Sequence, residues 1–210
     1  MIEHKCEQGT PIWHKLRSLF FSGTGLKNLM GTPAAREKEI YKLVAARLTY
    51  GNLDENESGM QRGTRLEPEA RLYFEAETGL DVREVGFCES EEIPGMGFSP
   101  DGLIGDNEAL EIKNLSGDQY VKFCLDNEIP KDYVWQIVSY FATHSTCEVV
   151  HFALYFPEII QHPMHVRKVY RNEMIGDIAK GKSAVNKAME EADAIQQAFE
   201  NRFPIQEENN

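Results

Sequence analysis

The residues best suited to chemistry in this 210-residue chain form the tripeptide Glu111, Ile112 and Lys113. Alternate side chains of a β-strand point to opposite faces, so Glu111 and Lys113 share one face. A hairpin turning at residues 106–107 would bring the upstream carboxylate of Asp101 beside Glu111. Two carboxylates repel each other unless a cation lies between them. The pair therefore predicts a Mg²⁺ or Mn²⁺ site, completed by a substrate phosphate, where Lys113 orients and helps deprotonate a water.

A simpler interpretation of the tripeptide is an ion pair between Glu111 and Lys113 on an exposed sheet face. The Glu-x-Lys spacing alone is weak evidence, because Glu3 and Lys5 repeat it near the start of the chain. What favours a site is the combination of Ser-Pro-Asp-Gly-Leu, a turn, Glu-Ile-Lys and an acidic helix beginning near Glu67.

Composition and charge limit the class of protein. The chain has 41% apolar residues and a net charge of −12, as expected of a folded globular protein. An acidic total argues against a general nucleic-acid coat, but residues 1–50 carry eight Lys and Arg against four Asp and Glu. No apolar run could span a membrane and no signal peptide is recognised, so we expect a cytoplasmic protein.

The cysteines predict no metal or disulfide framework. Cys6, Cys88, Cys124 and Cys147 lie far apart, without a Cys-x-x-Cys pair or a histidine at zinc-ligand spacing. We expect free thiols. The His-x-x-His at residues 162–165 contains a proline and predicts a loop.

Hydrophobic periodicity and turn residues predict the elements that must position the site. We expect helices at 34–48, 67–78, 133–143 and 173–203, and strands at 81–90, 97–105, 109–114, 149–156 and 164–170. Pro68 would lie in the first turn of its helix, and Gly181 could break the last one. Residues 51–59 are predicted to be a flexible connection. This order predicts an α/β fold with a mixed central sheet.

Several motifs in one order resemble the PD-(D/E)xK nuclease superfamily and, within it, the lambda-exonuclease (YqaJ-type) family of viral recombination nucleases. The superfamily signature is carried by Pro100 and Asp101 with the tripeptide 111–113. The family motifs match residues 13–17, 63–70, 98–103, 110–113 and 133–136, the last followed by Tyr140. The similarity runs from about residue 7 to residue 170.

The resemblance implies a restriction-endonuclease-like core with a central mixed β-sheet flanked by helices, in a single domain over residues 1–210. Within this domain we expect an N-terminal helical part at 1–80, a catalytic core at 81–170 and a C-terminal helix at 171–210.

The resemblance also implies a Mg²⁺-dependent exonuclease that degrades double-stranded DNA ends 5′ to 3′ and leaves 3′ single-stranded overhangs for recombination. The family assembles as a ring-shaped homotrimer around DNA, and its usual partner is a single-strand annealing protein of the same recombination system. Asp101, Glu111 and the carbonyl of Ile112 would hold the metals, expected to be two ions, with Glu67 as a nearby ligand or as an acid just outside the ligands. Mn²⁺ could substitute for Mg²⁺.

The remaining implied roles concern water and DNA. Lys113 and Gln136 would position the attacking water. The implied DNA and 5′-phosphate contacts are Arg17, Ser22, Thr24, Trp13 and Tyr140. Each has a structural alternative: Ser22 and Thr24 could cap a helix, and Trp13 could belong to the core.

Other functions remain open at this stage. A Mg²⁺-dependent endonuclease with the same core, or a non-catalytic DNA-binding module, would show much of the same pattern. A four-cysteine iron–sulfur variant of the superfamily exists, but the scattered cysteines argue against it. The joint presence of Asp101, Glu111, Lys113 and Glu67 favours an active enzyme.

Overall fold

The computed structural model describes residues 1–51 and 61–204. The strands are β1 (Ile2–His4), β2 (Phe87–Glu89), β3 (Gly97–Phe98), β4 (Gly102–Ile104), β5 (Glu108–Lys113), β6 (Val149–Tyr155) and β7 (Met164–Tyr170). The helices are α1 (Pro11–Arg17), α2 (Gly23–Leu29), α3 (Pro33–Leu48), α4 (Gln61–Thr78), α5 (Gly117–Asp126), α6 (Lys131–Thr143) and α7 (Ile175–Arg202).

The central sheet has four strands in the order β4-β5-β6-β7. Strands β5 and β6 are parallel, whereas the β4–β5 and β6–β7 pairs are antiparallel. A parallel pair needs a crossover connection, and here the crossover contains α5 and α6. The predicted α/β fold with a mixed central sheet is confirmed, as are the hairpin whose second strand carries the tripeptide and the strand predicted at 149–156.

Helices cover both faces of this sheet. A large hydrophobic core joins the sheet to α2, α3, α6 and α7. A smaller core joins α4 to the opposite face, where Ala70 and Phe74 pack with Leu110 and Ile112 of β5. Leu110 and Ile112 therefore point into the interior, on the face of β5 opposite Glu111 and Lys113.

The segment predicted as one strand at 97–105 is two short strands in different sheets. β3 pairs with β2 in a three-stranded antiparallel sheet, and β4 pairs with β5 in the central sheet. Residues 99–101 connect β3 to β4. Asp101 therefore lies where the chain enters the central sheet, immediately before β4.

The structure corrects the bounds of two helices. α4 begins at Gln61, so Pro68 lies inside the helix and not in its first turn. Proline usually marks a helix start because it lacks the N–H that an interior position donates. α7 is continuous through Gly181. A Cβ there would lie 3.2 Å from Val138 and 3.3 Å from Leu26, so this glycine permits close helix packing.

Other differences concern short elements. Of the strand predicted at 81–90 only β2 forms, with a single further bridge between Arg83 and Leu103. The part predicted as helical to residue 80 also contains β1, which pairs with β2. Apart from Gly51, the predicted connection at 51–59 lies outside the described residues. Among the described helices, none has the length and apolar character to cross a membrane.

Candidate active site

The segment that carries Asp101 is fixed by the N-terminal residues. The amide of Gln8 donates hydrogen bonds of 2.8 Å to the carbonyls of Val85 and Pro100. The indole N–H of Trp13 donates to the Ser99 hydroxyl at 3.0 Å and also reaches a carbonyl of the preceding loop. These bonds hold both residues that precede Asp101.

Asp101 and β5 are joined directly. The Asp101 carboxylate accepts a 2.6 Å hydrogen bond from the backbone N–H of Ile112. In the β4–β5 register Gly102 faces Leu110, which places Asp101 next to Glu111 at the end of the hairpin. The predicted proximity of these two carboxylates is therefore confirmed.

Glu111 is fully buried and receives three side-chain donors. Lys113 forms an ion pair with one of its oxygens, and the Gln136 amide donates to the same oxygen at 2.5 Å. The Tyr140 hydroxyl donates to the other oxygen. Gln136 and Tyr140 are one turn apart on α6, so one helix face provides both bonds.

Glu67 reaches the same cluster from α4 through Arg71. The Arg71 guanidinium donates to the Glu67 carboxylate at 2.9 Å and to the Asp101 carbonyl at 3.1 Å. Arg71 also pairs with Glu84 at 2.5 Å and is only 9% exposed. Sequence reasoning missed Arg71, although its position four residues after Glu67 on a helix is a usable signal.

Two carboxyl groups of the cluster, those of Asp101 and Glu67, have raised pKa values. Burial raises the pKa of Asp101 well above its ordinary value, and the Glu111 charge adds to the effect. Burial also raises the pKa of Glu67, where Arg71 opposes the shift and Glu111 reinforces it. Burial alone would lower the pKa of Lys113, but the charges of Glu111 and Asp101 raise it above its usual value. The cluster thus holds more negative charge than its cations balance.

This donor set fits a hard divalent cation. Three carboxylates, from Asp101, Glu111 and Glu67, meet beside the backbone of Ile112, and oxygen ligands of this kind suit Mg²⁺ or Mn²⁺. Their mutual repulsion is the situation that a bound cation relieves.

The expected 5′-phosphate residues lie on α1 and α2. Thr24 is exposed and lines an open cavity of about 320 Å³ together with Gln136 and Lys27. Ser22 is 7% exposed and precedes α2, and its side chain caps none of the described helix N–H groups. Arg17 ends α1, with its guanidinium 4.8 Å from the centre of the Trp13 ring. The phosphate role of these residues stays a prediction.

Two residues expected to contact DNA are buried. Trp13 is 4% exposed and its N–H is used inside the protein, as the core alternative expects. Tyr140 is 1% exposed and its hydroxyl binds Glu111. The DNA-contact role of both residues stays a prediction, and in this structure both rings are buried. Trp13 supports Arg17, and Tyr140 supports the candidate metal ligand.

The mixed sheet with helices on both faces is a restriction-endonuclease-like core. The chain belongs to the family of the YqaJ-like viral recombinase domain, whose model matches residues 12–148. No curated protein sequence matches the chain.

Solved structures extend this similarity over most of the chain. LHK-Exo in complex with dAMP is 26% identical with a TM-score of 0.82, over 92% of this chain and 97% of that one. A second structure of LHK-Exo, an alkaline exonuclease from Laribacter hongkongensis, gives a TM-score of 0.81 at the same identity and coverage. A phage-related exonuclease from Haemophilus somnus 129PT, 15% identical with a TM-score of 0.57 over 90% of this chain and 99% of that one, agrees in fold.

Proposed function

We propose that the protein is a Mg²⁺-dependent deoxyribonuclease that degrades double-stranded DNA from its ends, 5′ to 3′, and leaves 3′ single-stranded overhangs. The observation that carries this proposal is the convergence of Asp101, Glu111 and Glu67 beside Lys113 and Gln136. Membership of a viral recombinase family and similarity to an alkaline exonuclease support it. The dAMP named for one similar structure is the kind of product that exonucleolytic cleavage of DNA releases.

Metal binding is assigned to the carboxylate cluster. Asp101, Glu111 and the carbonyl of Ile112 would hold the ions, with Glu67 as a further oxygen donor. We expect two ions, with Mn²⁺ able to substitute for Mg²⁺. Such ions, when bound, polarise the phosphoryl oxygen, acidify water and stabilise the leaving oxygen.

The protein's own residues orient the attacking water and the ligands. Lys113 can donate a hydrogen bond from its ammonium group to the water or to the scissile phosphate. Gln136 uses its N–H on Glu111, which leaves its carbonyl oxygen to accept from a water. Tyr140 fixes the second oxygen of Glu111, and Arg71 fixes Glu67.

The 5′ to 3′ direction is assigned to the neighbouring cavity. Thr24 lines it beside Gln136, so a terminal phosphate bound there would lie next to the catalytic cluster. Thr24 lies on α2. Ser22 immediately precedes α2, and Arg17 ends the preceding helix α1. A guanidinium is well suited to phosphate because it offers paired N–H donors.

The family resemblance extends the proposal to assembly. We infer a homotrimeric ring around DNA and cooperation with a single-strand annealing protein of the same recombination system. Local positive charge, not the total, decides DNA contact, and the first 50 positions carry eight Lys and Arg against four Asp and Glu. Light scattering of the purified protein should give the mass of a trimer, about three times 23.9 kDa.

Degradation of DNA substrates with different ends tests the activity. The substrates are a linear duplex labelled at one 5′ or one 3′ end and a closed circle of the same sequence, each with and without Mg²⁺. We expect Mg²⁺-dependent loss of the linear duplex and an intact circle, and Glu111→Gln should be inactive. Cutting of the circle would identify an endonuclease. Tight DNA binding without cleavage by the wild type would identify a binding module.

A further inference from the structure

A cluster of metal-binding side chains lies outside the carboxylate site. It consists of Cys124 near the end of α5, His162 in the turn after β6, and His165 on β7. One ligand atom of each residue lies within 4.8 Å of the other two. Sequence reasoning treated Cys124 as a free thiol and the histidines as a loop pair, because only the folded chain brings the two segments together.

The spacing of the two histidines matches a shared metal ion. Nε2 of His162 and Nδ1 of His165 are 3.2 Å apart. Two nitrogens bound tetrahedrally to zinc at 2.0–2.1 Å are separated by roughly 3.3 Å. A thiolate in the same tetrahedron lies roughly 3.6 Å from each nitrogen, so each sulfur-to-nitrogen distance, now within 4.8 Å, has to shorten by no more than about 1.2 Å.

Neighbouring residues orient the ligand atoms. Nε2 of His165 lies 3.1 Å from the side-chain oxygen of Asn127, which can only accept. The Nε2 of His165 therefore carries the hydrogen, and the lone pair on Nδ1 faces the cluster. The Tyr120 hydroxyl holds the His162 carbonyl at 2.5 Å, and the Phe123 ring packs edge-on against His165. Such support is characteristic of metal-binding histidines.

We propose that Cys124, His162 and His165 bind a zinc-class transition-metal ion, with a water as the fourth ligand. Sulfur and imidazole ligands select Zn²⁺ over Mg²⁺, so this site does not duplicate the carboxylate cluster. His162 is exposed and the other two ligands are half-buried, which gives an ion access from solvent. The ion fastens the end of α5 to the β6–β7 hairpin and so stabilises the helix that follows the catalytic strand β5.

The competing explanation is a plain hydrogen bond between the two histidine rings, with the thiol nearby. Metal binding distinguishes the two, and it does not depend on nuclease activity. The full-length protein is reduced and stripped of metal. It is then titrated with Co²⁺ in a buffer that contains excess Mg²⁺, because Mg²⁺ occupies the carboxylate site. We expect one equivalent of Co²⁺ to produce a thiolate-to-cobalt charge-transfer band, which Zn²⁺ then abolishes by displacement.

Variants assign the ligands. Cys124→Ser should lose the band, and His165→Ala should lose or strongly weaken it, whereas Cys6→Ser, another half-buried cysteine, should behave as wild type. Asn127→Gly suits the left-handed backbone there, at φ 51°, and should weaken Zn²⁺ binding by about 10–100-fold. Saturating Zn²⁺ should raise the wild-type Tm by about 5 °C and leave that of Cys124→Ser unchanged. A wild type without the band, or a band that survives in Cys124→Ser, would overturn the proposal.

Discussion

The hydroxyl of Tyr140 donates a hydrogen bond to the carboxylate of Glu111, at a position where neither side chain reaches solvent. This bond crosses from α6 to β5 and fixes the Glu111 oxygen that faces away from Lys113. A buried carboxylate oxygen without a hydrogen-bond donor is costly, and Tyr140 supplies a donor to this one. Tyr140, one helical turn after the family motif at 133–136, therefore acts on the candidate metal ligand.

Replacing Tyr140 with phenylalanine removes this bond and keeps the ring. A hydrogen bond to a charged group contributes about 1.5–3 kcal/mol, so we expect Tyr140→Phe to lower kcat by about 10–100-fold. DNA affinity, measured with Ca²⁺ by fluorescence anisotropy, should not change. Tyr155→Phe is the matched control, because that hydroxyl binds Glu69 at 2.7 Å outside the cluster. If Tyr140→Phe instead weakens DNA binding and leaves kcat unchanged, Tyr140 contacts DNA.

Lys113 should contribute to cleavage and little to DNA binding. Lys113→Met removes the ammonium group, whose nitrogen lies 5.6 Å from the centre of the Tyr133 ring, and keeps the aliphatic stem. We expect single-turnover cleavage to fall by about 10²–10⁴-fold, the usual effect of losing a positioned proton-transfer group. Lys122→Met, at an exposed lysine on α5, serves as the control. A rate within threefold of wild type would exclude Lys113 from the mechanism.

The carboxylates should be required for Mg²⁺-dependent activity. Asp101→Asn and Glu111→Gln each remove a charged oxygen donor with little change of shape, so both should abolish cleavage and weaken Mg²⁺ binding in calorimetry. In the wild type, Ca²⁺ should support DNA binding without turnover, because its looser and larger coordination misplaces the water. Unchanged Mg²⁺ affinity in both variants would contradict the assignment.

Gly23 controls the position of Gln136. A Cβ on Gly23 would lie 2.7 Å from Cγ of Gln136, closer than real contacts allow, so Gly23→Ala must displace that side chain. A misplacement of about 1 Å can cost about 10²-fold in rate, and we expect a loss of this order in kcat. Gly176→Ala is the control, since a Cβ there meets no described atom within 4 Å. Wild-type kcat in Gly23→Ala would show that Gln136 has no positioning role.

The features that the sequence predicted are those encoded locally. The strand at 164–170 has the predicted bounds, and the hairpin that joins Asp101 to Glu111 follows from alternation and a turn. The resemblance to a family located the same segments. Local pattern and motif spacing are sufficient where the interacting residues are close in sequence.

The features that were missed depend on contacts between distant segments. β1 has three residues, which is too short for a periodic signal, and it forms because it pairs with β2. The predicted strand at 97–105 divides because β3 pairs with β2 whereas β4 pairs with β5. The burial of Trp13 and Tyr140 depends on what packs over them. The approach of Cys124 to the histidines depends on how α5 lies against the β6–β7 hairpin.

Arg17 offers a test of direction. If Arg17, Ser22 and Thr24 bind the terminal phosphate, the wild type should degrade 5′-phosphorylated ends faster than 5′-hydroxyl ends, because the anchored phosphate positions the next bond at the metals. Arg17→Ala should shrink this ratio by at least tenfold, as charge-assisted hydrogen bonds are each worth about 1.5–3 kcal/mol. Arg17→Lys keeps the charge without the paired N–H donors and should recover part of it.

The alternative for Arg17 is a structural role, since its guanidinium lies over the buried Trp13 ring. A structural role predicts a lower Tm with an unchanged ratio of rates on the two ends. Arg36→Ala is the control for a purely structural effect, with a lower Tm and an unchanged ratio, because Arg36 pairs with Glu191 at 2.7 Å on the surface between α3 and α7. Mg²⁺ affinity should be the same in every Arg17 variant, because a guanidinium cannot coordinate a cation. If Arg17→Ala keeps the wild-type ratio, the N-terminal motif serves to hold the segment before Asp101, and direction is set elsewhere.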